Sequence, residues 1–504
     1  MRRDVILAQV AGSSKVCDVL VIGGGATGLG TALDAASRGL SVVLLEKSDF
    51  ASETSSRSTK LIHGGVRYLK QGRMGLVREA LRERRILQHN APALVHSLPF
   101  IIPTRSWWET LYYTSGLKVY DRLAGDLSLG PTEVLSCATT SRELSTLRRE
   151  KLKAGVKYWD AQFNDALLAV SLARTLAEFG GLPLNYCEVT QLMSDRGRIG
   201  GVQARDLESR RTFEVRSRVV VNATGVWTDE IRRKDEPQSA TSVRVSQGAH
   251  IVVGREFLPG ASALMVPKTE DGRVLFAIPW MGRCLIGTTD TPMTEARSHP
   301  KPLAAEVDFL IREAGRYLQQ PIRQQSILSV FAGLRPLIAT ESSQSTASVS
   351  REHRIDVSSR GLISVVGGKW TTYRSMAEEI VNIAMQTGGW QPRPCVTTHL
   401  AILTGTTMSV AATNDTDQPL HPNLPLTPNQ IRQSAQEDMA RTVEDVIARR
   451  SRCLFMDVAA TLQIVPRVAE ILGNALGYPQ SWCEGQVQLI RSIAKNYQVS
   501  DSES

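Results

Sequence analysis

An α/β protein, with a parallel sheet wound in βαβ fashion, a separate antiparallel sheet and a helical C-terminal region, is predicted by three features of the sequence. The first is the stretch Val16 to Glu46, V-C-D-V-L-V-I-G-G-G-A-T-G-L-G and onward to V-V-L-L-E. It reads as a strand, a glycine-rich turn, a small-residue helix and a second strand ending in a carboxylate. The second is a series of short strands separated by Pro- and Gly-containing turns between Val243 and Asp290. The third is the helical periodicity that starts at Thr427-Pro428 and runs to about Tyr497.

Each residue type in the βαβ unit has a physical task. Gly23 permits the tight turn out of the strand, Gly25 lets backbone N–H groups approach a pyrophosphate, and Gly28 lets the helix lie close on the sheet. Gly24, Ala26 and Thr27 put no bulky group in the way. The helix N-terminus then faces the anion with unpaired N–H groups and the positive end of its dipole. Glu46, followed by Lys47, is placed to accept from both ribose hydroxyls, which disfavours a 2′-phosphate. This Rossmann-like unit predicts a dinucleotide but does not separate NAD from FAD.

Further along, the polar, glycine-containing loop from Glu53 to Leu69 is too long for a simple connection, a feature associated with function. Met74 to Gln88 has amphipathic helical spacing, and Trp107 to Tyr120 is an aromatic-rich stretch with partly helical spacing. Asn164 is an expected N-cap for a helix to Phe179, with Gly180-Gly181 as its stop. The β-branched run Arg218 to Asn222 leads into A-T-G-V-W and returns the chain to the nucleotide-binding domain. Helix Leu303 to Leu318, strand Gln325 to Phe331 and strand Leu362 to Val366 follow, and G-G-K-W-T-T-Y-R then leads into a helix from Thr371 to Met385. Thr404 to Pro428 has linker composition, and the final helices are expected to break near Pro466 and Gly477. The expected division is a nucleotide-binding domain in three parts (16–75, 156–240, 350–388), a cap and substrate domain in two (76–155, 241–349), a linker (389–428) and a helical domain (429–504).

With 504 residues, 42% apolar and 22% charged, the chain has the composition of a multidomain globular protein. It has no apolar run of spanning length, and the short apolar stretch Val5 to Val10 does not make a secretory signal. Seven cysteines without a C-x-x-C pair suggest neither a zinc site nor a disulfide framework, and no metal is expected. The net charge of +9 lacks basic runs with interleaved aromatics, so an anionic substrate or membrane surface is favoured over nucleic acid.

Basic or titratable residues beside glycine-rich turns recur at His63, Arg67, His250, Arg335 and Lys369. The ordered set S-S-R-S-T-K-L-I-H-G-G-V-R-Y-L, V-N-A-T-G-V-W, G-A-H-I-V-V, I-G-T-T-D, A-G-L-R-P-L and V-G-G-K-W-T-T-Y-R resembles the FAD-dependent glycerol-3-phosphate dehydrogenases, over roughly Asp18 to Ala384. The resemblance implies a Rossmann-like FAD-binding domain with an antiparallel substrate domain, and FAD as the cofactor. It implies that Ser55, Ser56, Ser58, Thr59, Leu61, His63, Gly64 and Gly65 lie along the isoalloxazine, and that Thr224 and Gly225 lie near the pyrophosphate. It further implies that Gly367, Gly368, Lys369 and Thr371 form a helix start facing the flavin N1–C2 edge.

The reaction so implied is oxidation of sn-glycerol 3-phosphate to dihydroxyacetone phosphate, with hydride passing from C2 to flavin N5. Arg67, Arg335 and Lys369 are the candidates to grip phosphate and polarise the C2 oxygen, Tyr68 is a candidate donor to substrate, and His250 is the candidate base. The resemblance points to a membrane quinone as electron acceptor and to a cytoplasmic enzyme held at the inner face of the membrane. Trp107, Trp108, Leu111, Tyr112, Tyr113 and Tyr120, with Arg105, Lys118 and Arg122, read equally as an interfacial patch or a core helix. Oxygen as acceptor, and a non-catalytic FAD-binding protein, are the competing readings. The arginine face of Met439 to Asp457 suits a homodimer surface or plain solvation.

Overall fold

The computed structural model describes residues 1–66, 69, 72–339, 353–405 and 417–499. Among these, two sheets share the chain. In the first, the strand order is His353–Val357, Ile363–Gly367, Thr212–Asn222, Cys17–Ile22, Val42–Leu45, Leu182–Leu184, and all neighbours except the first pair run parallel. Their β-branched and leucine-rich sequences are buried on both faces, as parallel strands must be when helices cover them. Helices Ala26–Ser37 and Tyr373–Gly388 lie on this sheet, and an antiparallel meander of Cys187–Asp195 and Arg198–Asp206 extends it.

The second sheet is antiparallel over most of its pairs. Val243–Gly254 lies at its centre between Ile327–Ile338 and Arg283–Gly287, and the sheet continues through Leu275–Trp280, Ala263–Val266, Val95–Thr104 and Ala154–Phe163. Ala154–Phe163 belongs wholly to this sheet, so the chain changes layers at Phe163–Asn164 and not at 155–156 as expected. The reason is the N-cap at Asn164, whose side chain accepts from the Leu167 amide and starts helix Asp165–Glu178. The strand expected to end at Phe331 continues to Ile338, because Arg335 to Ile338 still pair with Val243 to Ser246. The domain boundary at 349–350 falls outside the described residues.

The stretch expected to be a linker is strapped down where it is described. Thr397 carbonyl accepts from Asn90 Nδ2, Ile402 N–H donates to Asn90 carbonyl, and Leu400 and Ile402 are buried. Before helix Pro428–Glu437, Leu424 and Leu426 sit in the core of the C-terminal helices, and Thr427 and Gln430 form a capping box. Residues 406–416 of that stretch lie outside the described residues. Pro466 does not break the chain as expected, because helix Val458–Leu476 runs through it and ends at left-handed Gly477.

The C-terminal region is tied to the first sheet's loops by charge. Asp49, fully buried, takes hydrogen bonds from Arg449 Nε at 2.5 Å and from Arg450 Nη1 and Nη2 at 2.5 and 2.8 Å. Burial alone would raise the Asp49 carboxyl, but the two guanidiniums outweigh it and hold it below the ordinary carboxylate range. The N-terminal segment is a short helix, Arg3–Ala11, with Arg3 buried against Asp206 and the Asn185 carbonyl. Helix Trp107–Ala124 is two-faced. Trp107 and Trp108 are 67% and 81% exposed, whereas Leu117 and Tyr120 point inward and Tyr120 Oη donates to Asp160, so Tyr120 leaves the surface patch. No helix among the described residues is long and apolar enough to cross a membrane.

Asp49→Ala would leave Arg450 buried without its carboxylate, and loss of one partner of such a pair costs about 3–5 kcal/mol. Urea unfolding of Asp49→Ala should therefore show a stability lowered by that order, and a change under about 1 kcal/mol would refute the charge tie.

Candidate active site

The C-terminal edges of the parallel strands open a cavity of about 440 Å³ where the chain's strand order turns back on itself. Its walls carry Gly23, Gly25, Ala26 and Thr27 from the first turn, Glu46 and Lys47 from the second strand end, and Ser55 from the long loop. Thr224 and Gly225, and Gly367, Gly368 and Lys369, complete it, with Trp227, Pro336 and Trp370 beside them. Gly24, Gly28, Ser56, Ser58, Thr59, Leu61, His63, Gly64, Gly65 and Thr371 lie off this wall; Arg67 and Tyr68 lie outside the described residues.

The residues off the wall support it from behind. A methyl group at Gly28 would fall 1.9 Å from the Gly23 carbonyl oxygen, so only glycine allows the helix to begin this near the strand. Gly24 N–H donates to Glu46 Oε2 at 2.6 Å and Ser48 N–H to Oε1 at 2.7 Å, fixing the carboxylate at the cavity while leaving it further lone pairs. Burial pushes the Glu46 carboxyl up, against those two amide donors. Ser55 Oγ accepts from Ala26 N–H at the helix start, and Trp370 Nε1 donates to Ser55 carbonyl. Leu61 pairs with Gln162 in the second sheet, Gly64 N–H donates to Tyr120 Oη and Gly65 turns with positive φ. His63 is half-buried and Thr371 is buried at the start of the helix that carries Tyr373.

His250 and Arg335 share one face of the second sheet. His250 lies opposite Gly287 on one neighbouring strand and Phe331 on the other, stacked on the Phe331 ring at 4.7 Å and 11°. A methyl at Gly287 would meet the imidazole at 2.1 Å, so a bare backbone makes the room. Nε2 is 2.9 Å from Thr59 Oγ1, while buried Nδ1 has no hydrogen-bond partner among the described residues. Burial first, then Lys60 and Arg335, push the imidazole well below its ordinary 6.5, so it is neutral at pH 7. Arg335 extends over Gly248 and is set by Asp290 Oδ1 at 3.2 Å, Thr288 Oγ1 at 3.2 Å and the Thr289 carbonyl at 3.1 Å. Its neighbour Pro336 and Lys369 both line the cavity.

Three supporting residues escaped the sequence reading. Lys60 and Asp165 form a wholly buried ion pair, and Arg452 reaches in from the C-terminal region to the same place. Lys60 was visible only as one letter of T-K-L-I-H, since its partners lie 105 and 392 positions along the chain.

A glycine-bounded helix start, a carboxylate at the second strand end and a cavity at the switch point define a dinucleotide-binding oxidoreductase site, and the residues fit FAD. Residues 18–374 match the family model of FAD dependent oxidoreductases, and residues 363–482 match that of the C-terminal domain of alpha-glycerophosphate oxidase. The chain is 37% identical to the mitochondrial glycerol-3-phosphate dehydrogenase of Homo sapiens, covering 94% of this chain and 73% of that protein. It is 36% identical to a mitochondrial glycerol-3-phosphate dehydrogenase of Arabidopsis thaliana, covering 97% and 88%. The glycerol-3-phosphate dehydrogenase of Bacillus halodurans, solved with FAD, superimposes with a TM-score of 0.79 at 26% identity over 100% of this chain and 98% of that one. This chain belongs to the FAD-dependent glycerol-3-phosphate dehydrogenase family. The L-alpha-glycerophosphate oxidase of Mycoplasma pneumoniae shares the fold at 18% identity and a TM-score of 0.57, over 77% and 99%.

Gly28→Ala should disrupt the helix start and leave the purified protein with little flavin absorbance. A variant as yellow as the parent would show that the close approach is not needed.

Proposed function

We propose that this chain oxidises sn-glycerol 3-phosphate at C2 to dihydroxyacetone phosphate and passes the electrons to a membrane quinone. The single observation that carries the chemistry is the placement of buried His250, whose Nδ1 has no hydrogen-bond partner among the described residues, on the sheet face that also carries Arg335. Bound FAD supplies the acceptor for the hydride that leaves C2. Gly23, Gly25, Ala26, Thr27, Glu46, Lys47, Ser55, Thr224, Gly225 and Gly367 to Lys369 would hold it, and Gly24, Gly28 and the loop from Ser56 to Gly65 with Thr371 would brace that wall.

His250 takes the C2 hydroxyl proton, a task suited to an imidazole kept neutral at working pH. Arg335 and Lys369, with Arg67 and Tyr68 by family likeness, hold the phosphate dianion and the C2 oxygen. Asp290, with Thr288 and the Thr289 carbonyl, keeps the Arg335 guanidinium aimed. The exposed Trp107, Trp108, Leu111 and Tyr112, close to Lys118 and Arg122 on one helix, support peripheral docking on the inner face of an anionic membrane.

Anaerobic addition of glycerol 3-phosphate should bleach the flavin absorbance, and unchanged absorbance would refute the dehydrogenase reading. Quinone reduction without stoichiometric peroxide is expected in assays of the acceptor, whereas one peroxide per turnover would make oxygen the acceptor.

Arg335→Ala should raise KM at least tenfold, since loss of a charge-assisted contact is worth about 1.5–3 kcal/mol. An unchanged KM would remove Arg335 from the substrate. His250→Ala should instead lower kcat by about 100-fold or more with flavin retained. Loss of the flavin in that variant would make His250 a structural residue.

A further inference from the structure

Behind His250 lies a buried cluster of charge that substrate binding does not use. Lys60 follows Thr59 with a left-handed backbone, φ 63°, which sends the two side chains to different partners. Thr59 Oγ1 meets His250 Nε2 at 2.9 Å. Lys60 Nζ donates to Asp165 Oδ2 and to the Ser56 carbonyl, each at 2.7 Å. Arg452 Nη2 donates to the same Ser56 carbonyl at 2.7 Å and lies 3.6 Å from Asp165 Oδ1. Lys60 Nζ is also 5.1 Å from the centroid of Phe331, the ring on which His250 stacks.

Stability does not account for Lys60. Burial, only partly offset by Asp165, pulls its ammonium down to about 7, so the folded chain binds the proton less readily than the unfolded chain does. Such a lysine weakens the fold in full below about 7 and by less and less as the pH rises to the ordinary 10.5, and Asp165 already has Arg452 as a second cation. A buried ammonium retained at this cost, one residue from the partner of His250, has its use in what it does to the imidazole.

We propose that Lys60 is a positioning residue for His250. Through the Thr59 hydrogen bond and from beside the Phe331 ring, it fixes the imidazole and opposes its protonation. The proposal rests on the reading of His250 as the base. Among the described residues, the charged groups that act on His250 are Lys60 from the long loop and Arg335 from the neighbouring strand; Asp165 and Arg452 stand behind the first, and Asp290 pairs with the second. Loss of Lys60 leaves Arg335 as the cation that still disfavours imidazolium. His250 then binds its proton at a higher pH.

The test is the pH profile of kcat/KM for the flavin-loaded enzyme with glycerol 3-phosphate and an artificial acceptor, in the parent, Lys60→Met and His250→Gln. Lys60→Met should keep its flavin and move the acid limb up by about one pH unit, a tenfold loss on that limb that recovers at alkaline pH. An unmoved limb, a uniform loss at every pH, or loss of flavin would overturn the proposal. His250→Gln should abolish the acid limb. If the limb persists there, the reading of His250 as base fails, and if it vanishes there but stays in place in Lys60→Met, this proposal alone fails. Should Lys60→Met not fold, Thr59→Val and Thr59→Ser decide. A fall in kcat at unchanged KM in Thr59→Val, restored by Thr59→Ser, upholds the relay through Thr59, and parental kcat in Thr59→Val overturns it.

Discussion

The approach of helix Ala26–Ser37 to the end of strand Cys17–Ile22 is the constraint from which the rest of the site follows. The Gly23 carbonyl occupies the space where any Cβ on Gly28 would stand, so the helix axis meets the strand end at the closest distance the backbone allows. That contact puts the first helical N–H groups on the cavity wall, where an anion gains from both the unpaired donors and the dipole. It also sets where Ser55 must lie, because Ser55 Oγ accepts from Ala26 N–H, and through Trp370 it sets the start of the helix at Tyr373. One steric fact near the N-terminus thereby aligns segments more than 300 residues apart.

The C-terminal region is part of this alignment. Arg449 and Arg450 close on Asp49, three residues after Glu46, while Arg452 holds the Ser56 carbonyl one residue after Ser55. Buried guanidiniums are costly unless every partner is well placed, and these are held by multiple charge-assisted bonds. The helical region therefore braces both the ribose-side loop and the long loop from outside the first sheet. This use of the arginines in Met439 to Asp457 leaves them buried inside the molecule, which rules out both a solvated face and a dimer face for Arg449, Arg450 and Arg452.

Legibility in the sequence followed the range of the interaction. The βαβ unit could be read because its residues act on neighbours within about one unit of secondary structure, and the caps at Asn164 and Thr427 could be read for the same reason. The grouping of His250 with Arg335 needed family likeness, since only strand pairing places them on one face. Lys60, Asp165 and Arg452 were not legible at all. Their roles arise from contacts across hundreds of residues, and a lysine in a polar loop gives no local sign that it is buried. The linker misreading has a related cause: Leu424 and Leu426 are two apolar residues in a polar stretch, too few to show a period yet enough to enter a core.

The charges around the site are paired in a way that separates two demands. A phosphate dianion needs positive side chains, yet a base must not be forced into its protonated form by its surroundings nor stabilised as a cation by a nearby carboxylate. Arg335 is held by Asp290 and Lys60 by Asp165, so each cation keeps its own counter-ion, and neither carboxylate is a hydrogen-bond partner of His250. The imidazole instead sees a hydroxyl, an aromatic ring and the net repulsion of two partly balanced cations, in a buried setting that already disfavours charge. On the proposed reading of His250 as base, both cations oppose its protonation, Arg335 alone of the two also attracts the anion, and the carboxylates hold those cations in place without taking the proton's side.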